Sequence, residues 1–233
     1  MDVANVQAAI KRVIARHRQA FTAIGSSQSK LLELASITGF AEHYKANGYV
    51  VTVRNPKGKK HFSVKTSTNG DPWNFSYFVA VGDADTVEIH MNLKVRSAHD
   101  QGTYCVDVGV VKSDVIPVAK PAQKWICVPN GELVTFGEAK KLVVYPMLLA
   151  QFVGIVHEIK PKFLNRSKYK SPHPPPTLIA LGHFSGNAQS IVKAYPARKI
   201  VVNVAENYDM RLARVRASAT PKSPFGSYGA EVL

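Results

Sequence analysis

The sequence predicts an α/β (α+β) fold: a mixed central sheet flanked by helices, with an enlarged antiparallel wing. Three observations carry that expectation. Apolar residues recur near the helical period up to Gly48, period-two segments then follow one another to Ser113, and strand-like and helix-like segments alternate beyond Asn130. A strand, a helix and a further strand imply a crossover, whereas the earlier run of strands needs only turns.

Residues 2–24 space Val6, Ile10, Val13, Ile14, Phe21 and Ile24 close to a helical repeat, with Lys11, Arg12, Arg16 and Arg18 on other faces. This is a basic amphipathic helix, set apart as residues 1–26. "GSSQS" breaks it and offers Ser N-caps to a second helix, Lys30 to Ala46, which Asn47-Gly48 ends. The segments "YVVTVRNP", "HFSVKTS", "WNFSYFVAVG", "TVEIHMNLKVRS" and "TYCVDVGVVKS" are rich in β-branched and aromatic residues and are separated by turn formers, so each reads as a strand.

In "TVEIHMNLKVRS" one face holds Val87, Ile89, Met91, Leu93 and Val95, and the other Glu88, His90, Asn92, Lys94 and Arg96. The second face is expected in solvent, in preference to a substrate groove. His99-Asp100 reads as the following turn, with a second reading in which the imidazole approaches Asp107. "WICVPNGE" turns at Asn130-Gly131 into the strand "LVTFGEAK", and Tyr145 to Ile159 is an apolar helix that tolerates Pro146 in its first turn.

"KPKFLNRSKYKSPHPPP" is a basic loop, because consecutive prolines exclude helix and central strand. "TLIALGHFS", "GNAQSIVKAYP" and "RKIVVNVAE" read as strand, helix and strand. From Arg211 the chain is basic and rich in Ser, Ala, Gly and Pro, an expected flexible tail over 211–233. One domain, residues 27–210, therefore carries two extensions.

With 233 residues and 45% hydrophobic content, that domain can bury a sizeable core. A formal net charge of +14 favours a polyanionic partner, nucleic acid first. Cys105 and Cys127 lie in apolar runs with no Cys-x-x-Cys pair or zinc-type Cys/His spacing, so a structural zinc is not expected. The chain shows no signal-peptide core and no window of about 18 apolar residues, which predicts a cytoplasmic location and no membrane contact. It also lacks a Gly-rich phosphate loop, which argues against ATP hydrolysis.

Within this frame Glu138 and Lys140 stand two apart on a strand and therefore share a face. Roughly one such Glu-x-Lys triplet is expected by chance in a chain of this length, and a second, Glu158 to Lys160, falls on a helix where residues two apart diverge. The preceding strand carries a lone acid, Asp107, in an otherwise apolar run, and a carboxylate there is costly without a partner. If the two strands adjoin, both carboxylates can meet one metal beside Lys140. An ion pair that merely ties the strands together is the competing explanation.

Asp107 with "EAK", Glu138 to Lys140, resembles the PD-(D/E)xK nuclease superfamily in residue type, order and element, with Val106 standing where that family has its leading Pro. The resemblance spans roughly residues 27–206 and implies a restriction-endonuclease-like fold. It further implies metal-dependent hydrolysis of phosphodiesters, DNA favoured, with Asp107 and Glu138 binding Mg²⁺ (or Mn²⁺) and Lys140 assisting the attacking water. Family members often add a Glu on the first core helix, for which Glu33 is the candidate against a solvent-facing role. Some carry a Gln on the next helix, where Gln151 stands, although a buried Gln bonded to backbone explains it equally.

Hard oxygen ligands of this kind suit Mg²⁺, and an ammonium beside them can position water or stabilise developing charge; burial and the two acids pull its pKa in opposite directions. Phosphate contacts are expected from Lys57, Lys59 and Lys60, and above all from Lys162, Arg166, Lys168 and Lys170, whose charges Phe163 and Tyr169 interleave. A catalytically inactive nucleic-acid-binding or assembly subunit of the same fold is the alternative. Recognition or activation would come from a homo-oligomer or a partner protein.

Overall fold

The computed structural model describes residues 28–166, 168–208 and 224–225. The amphipathic helix expected over residues 2–24 and nearly all of the tail expected to be flexible lie outside them. Helix α1 (Gln28–Ala46) is followed by β1 (Val50–Arg54), β2 (Tyr77–Val81), β3 (Thr86–Arg96), β4 (Thr103–Lys112) and β5 (Leu133–Lys140). Then come α2 (Pro146–Ile159), β6 (Thr177–Ala180), α3 (Gly186–Ala194) and β7 (Asn203–Ala205).

The seven strands form one mixed sheet in sequence order. Neighbours from β1 to β5 are antiparallel, while β5–β6 and β6–β7 are parallel, because α2 and α3 carry the chain back before each new strand starts. Pro146 opens α2, where its missing N–H costs nothing.

Each face of the sheet has its own apolar core. On one, Leu32, Phe40 and Tyr44 of α1 pack against Ile89, Val108, Val110 and Ile179. On the other, Leu148, Leu149, Phe152 and Val156 of α2 meet Phe136, Leu178 and Ala188. A Cβ on Gly137 would meet the Phe40 ring at 2.7 Å, so glycine at that position lets α1 close directly onto β5, one residue before Glu138.

The β3–β4 pair crosses from one core to the other. Val87, Ile89 and Met91 belong to the α1 side, yet Leu93 and Val95, an even number of residues further on, belong to the α2 side. A regular strand would keep all five together. The break falls at Asn92, whose φ of +49° is left-handed, a region Asn tolerates better than most residues. On β4 the change falls between Val106 and Val108, that is, at Asp107.

Several expectations need correction. "HFSVKTS" is a loop: Phe62 and Val64 pack on the α1 core, but Lys65 turns inward and no ladder forms. The polar face of β3 is out of solvent over its first three residues, while Lys94 and Arg96 stay partly exposed. Glu88, His90 and Asn92 are all buried, because each finds a polar partner inside. The final strand is only three residues long. Phe225, in the tail expected to be flexible, is buried with its ring 4.9 Å from that of Phe40. Among the described residues no helix is long and apolar enough to cross a membrane.

Candidate active site

Strands β4 and β5 adjoin, with Val108 opposite Gly137, which brings Asp107 level with Glu138. Asp107 Oδ2 accepts the Ala139 amide at 2.8 Å, a bond that aims its carboxylate across the strand boundary. Lys140 Nζ lies 2.9 Å from Glu138 Oε2 and 3.7 Å from Asp107 Oδ2. The acid and the ammonium two residues apart do share a face, and the third group faces them.

Their environments differ. Glu138 is 4% exposed, and its Oε1 is buried with no hydrogen-bond partner. Burial first, and then the Asp107 charge, raise its pKa to about 7 despite the adjacent ammonium. The Lys140 side chain is 37% exposed, so the cluster opens to solvent on its side. Burial pulls the Lys140 pKa down, but Glu138 and Asp107 outweigh it, and the group ends above its ordinary value. Lys140 is therefore a cation here and not a free base.

Glu33 is buried rather than solvent-facing. It pairs with Lys30 at 3.3 Å and accepts the Asn92 side-chain amide at 3.1 Å. Asn92 lies on β3 between the residues that pair with Val106 and Val108, hence beside Asp107. Glu33 thus reaches the acid pair through Asn92, and it does not join Asp107 and Glu138 in one cluster of mutually close ligand atoms. Gln151 is exposed on α2, neither bonded to backbone in the interior nor turned toward the acids, because Leu148, Leu149 and Phe152 take the inward face.

Two lysines expected elsewhere lie around Cys105 beside the acids: Lys94 is expected on the solvent face of its strand, and Lys65 in a strand that does not form. Lys65 is 4% exposed and donates to the carbonyls of Asn92 at 2.6 Å and Ser67 at 2.9 Å; burial lowers its pKa. Lys94 pairs across the sheet with Cys105, two residues from Asp107. The Cys105 thiol, pushed up to about 11 chiefly by burial, lies in the field of both lysines and both acids. An Asn inside a run of β-formers was the one available hint of the break at Asn92. Nothing local distinguishes Lys65.

The basic clusters separate in space. The segment carrying exposed Lys57, Lys59 and Lys60 leaves β1 after Arg54, which pairs with Tyr77 at the same end of the sheet as Lys140, and its Lys65 is anchored on Asn92. The 160–170 segment lies elsewhere: Lys160 bonds the Leu133 carbonyl at the opposite end of β5, and Arg166 bonds through its amide to Lys199. Phe163 is buried, and the Arg166 guanidinium sits over the Phe163 and Tyr169 rings, so these aromatics are packed rather than open to bases. His99 makes the expected turn, its amide bonding Ser97 Oγ.

No protein-family model, curated protein or solved structure matches the chain.

Proposed function

We propose that this protein is a divalent-metal-dependent nuclease acting on DNA phosphodiesters, with a restriction-endonuclease-like core formed by α1, β3, β4, β5, α2 and β6. The observation that carries the reading is the partnerless Oε1 of Glu138, buried beside a second carboxylate and a lysine that are both partly exposed. Leaving such an oxygen unsatisfied costs about 1–3 kcal/mol, and a cation relieves it. Two hard oxygen donors suit Mg²⁺ or Mn²⁺ better than a soft metal.

Asp107 and Glu138 would hold the ion, which when bound polarises the scissile phosphate and lowers the pKa of a bound water. The chain's own groups do the rest. The Ala139 amide keeps the Asp107 carboxylate aimed at the site. Lys140, held cationic by the two acids, donates hydrogen bonds to the attacking water and stabilises charge gathering on the phosphate. Glu33 acts through Asn92 on the β3–β4 break beside Asp107, as a positioning residue. The Lys57–Lys60 segment and Lys94 lie on the substrate side and neutralise backbone phosphates, which gives affinity without sequence choice.

A second reading has its own observation: the Lys140 ammonium already contacts both carboxylates and can serve as their permanent counter-ion. The chain would then be a non-catalytic nucleic-acid-binding or assembly subunit. Plasmid and single-stranded DNA and RNA incubated with purified protein and Mg²⁺ or Mn²⁺ separate the two. Metal-dependent cleavage abolished in Asp107→Ala and Lys140→Ala supports the nuclease, and binding indifferent to both metal and Glu138→Ala supports the subunit.

A further inference from the structure

A second group of metal-ligating side chains lies apart from the acid pair. His99, in the turn between β3 and β4, meets His157 and Glu158 at the end of α2, each offering a ligand atom, and these atoms all lie within 4.8 Å of one another. We propose that these three residues form a binding site for a zinc-class divalent ion that clamps the β3–β4 hairpin to the C-terminal turn of α2.

Four features support it. His157 Nδ1 and Glu158 Oε1 are 3.3 Å apart, and two ligands at about 2.05 Å from a tetrahedral ion are separated by about 3.3 Å, so this pair already has the spacing of two ligands on one ion. His99 Nε2 lies 3.0 Å from the His157 carbonyl. A carbonyl only accepts, so the neutral His99 ring carries its proton on Nε2 and leaves the Nδ1 lone pair for a metal. The Ala98 amide donates to the Glu158 carbonyl at 2.7 Å, which fixes turn and helix in register; the His99 and His157 rings stack with centroids 4.6 Å apart, and these exposed side chains must rotate to bring both in-plane lone pairs onto one ion. The His157 and Glu158 side chains are 58% and 32% exposed, so an ion can reach them from solvent.

The donor set decides the metal. Two imidazole nitrogens and one carboxylate favour Zn²⁺, Ni²⁺ or Cu²⁺ over Mg²⁺, and three protein ligands leave a fourth position to water. Sequence spacing excludes zinc only for ligands close together in the chain; here 58 residues separate His99 from its partner His157. The clamp would hold the hairpin that carries Asn92 and Asp107, yet its ligands are independent of Asp107, Glu138 and Lys140.

Calorimetric titration of the full chain with Zn²⁺, beside thermal melts, tests this. Wild type and Asp107→Ala are expected to bind one Zn²⁺ with equal affinity and to melt higher with it, unmoved by millimolar Mg²⁺. His157→Ala, at an exposed position, and the conservative Glu158→Gln are expected to weaken binding at least about tenfold. Retention of wild-type Zn²⁺ affinity by a His99→Ala/His157→Ala double variant, or binding by wild type no tighter than about millimolar, overturns the proposal. Equal affinity in wild type and in the double variant would place the ion elsewhere, and loss only in Asp107→Ala would place it on the acid pair.

Discussion

Two strands of the sheet carry an acid and a base two residues apart, Glu88 with His90 on β3 and Glu138 with Lys140 on β5, and their fates differ. Glu88 Oε2 is 3.0 Å from His90 Nε2, its Oε1 is 3.5 Å from the Asp114 amide, and Tyr77 stacks on the imidazole at 4.4 Å. Both oxygens are used and both side chains are buried. On β5 one carboxylate oxygen has no partner, a second acid faces it, and the lysine opens to solvent. Identical spacing therefore produces a saturated structural pair in one place and an unsaturated, accessible one in the other. Saturation and access, not the spacing, mark the candidate site.

The largest effect that would break this contrast is catalytic. Asp107→Ala and Lys140→Ala are expected to lower Mg²⁺-dependent DNA cleavage by about a hundredfold or more, while Glu88→Gln leaves it within a few fold, as measured by initial rates on plasmid. Equal losses would erase the distinction between the two pairs.

Next comes the pH dependence of stability at Glu138. Its folded pKa lies near 7 against an ordinary 4.5, so the native state holds a proton that the unfolded state has released. Its contribution is complete below pH 4.5 and is lost as the pH rises through 7, an upper value of about 3 kcal/mol. Glu138→Gln removes that dependence. Denaturant melts should find the variant near wild type at pH 4 and more stable at pH 8, with Mg²⁺ narrowing the gap. A difference that stays flat with pH would mean the Glu138 carboxylate is not strained.

Smaller again is the cost of opening the saturated pair. Glu88→Ala strands the buried His90 ring and should cost about 1–3 kcal/mol in urea melts, whereas the half-exposed Lys140 should cost under about 1 kcal/mol when replaced by Ala. The smallest effect separates the basic loops. Removing Lys57, Lys59 and Lys60 should reduce the salt slope of DNA binding by about 1 per lysine, and removing Lys162, Lys168 and Lys170 should leave it nearly unchanged.

A buried histidine gives the opposite pH signature and serves as an internal control. His43, 2% exposed, has a pKa lowered to about 4, mainly by burial, against an ordinary 6.5. A base that is harder to protonate when folded stabilises fully above pH 6.5 and loses that contribution as the pH falls toward 4. Over pH 4.5–6.5 the two contributions oppose each other, so His43→Phe should leave the Glu138 term uncompensated and make stability fall more steeply as the pH rises through that range.

Local pattern determined much of this molecule. The antiparallel wing, the strand–helix–strand crossovers and the side-by-side placement of Glu138 and Lys140 follow from periodicity, because a strand presents alternate residues to one face wherever it lies. Three features needed the tertiary structure. The left-handed Asn92 carries β3 from one core to the other and turns its own side chain to Glu33, while Glu88 and His90, ahead of the break, are covered by Tyr77 and the Asp114 turn; burial depends on which layer covers a face, and strand period does not encode that. Glu33 reaches the site only through a side chain 59 residues away, and Lys65 gains its place only when its loop closes on Asn92. Register decided the site itself: Asp107 faces Glu138 because Val108 pairs with Gly137, and a slip of one residue would have sent the acid to the other face of the sheet.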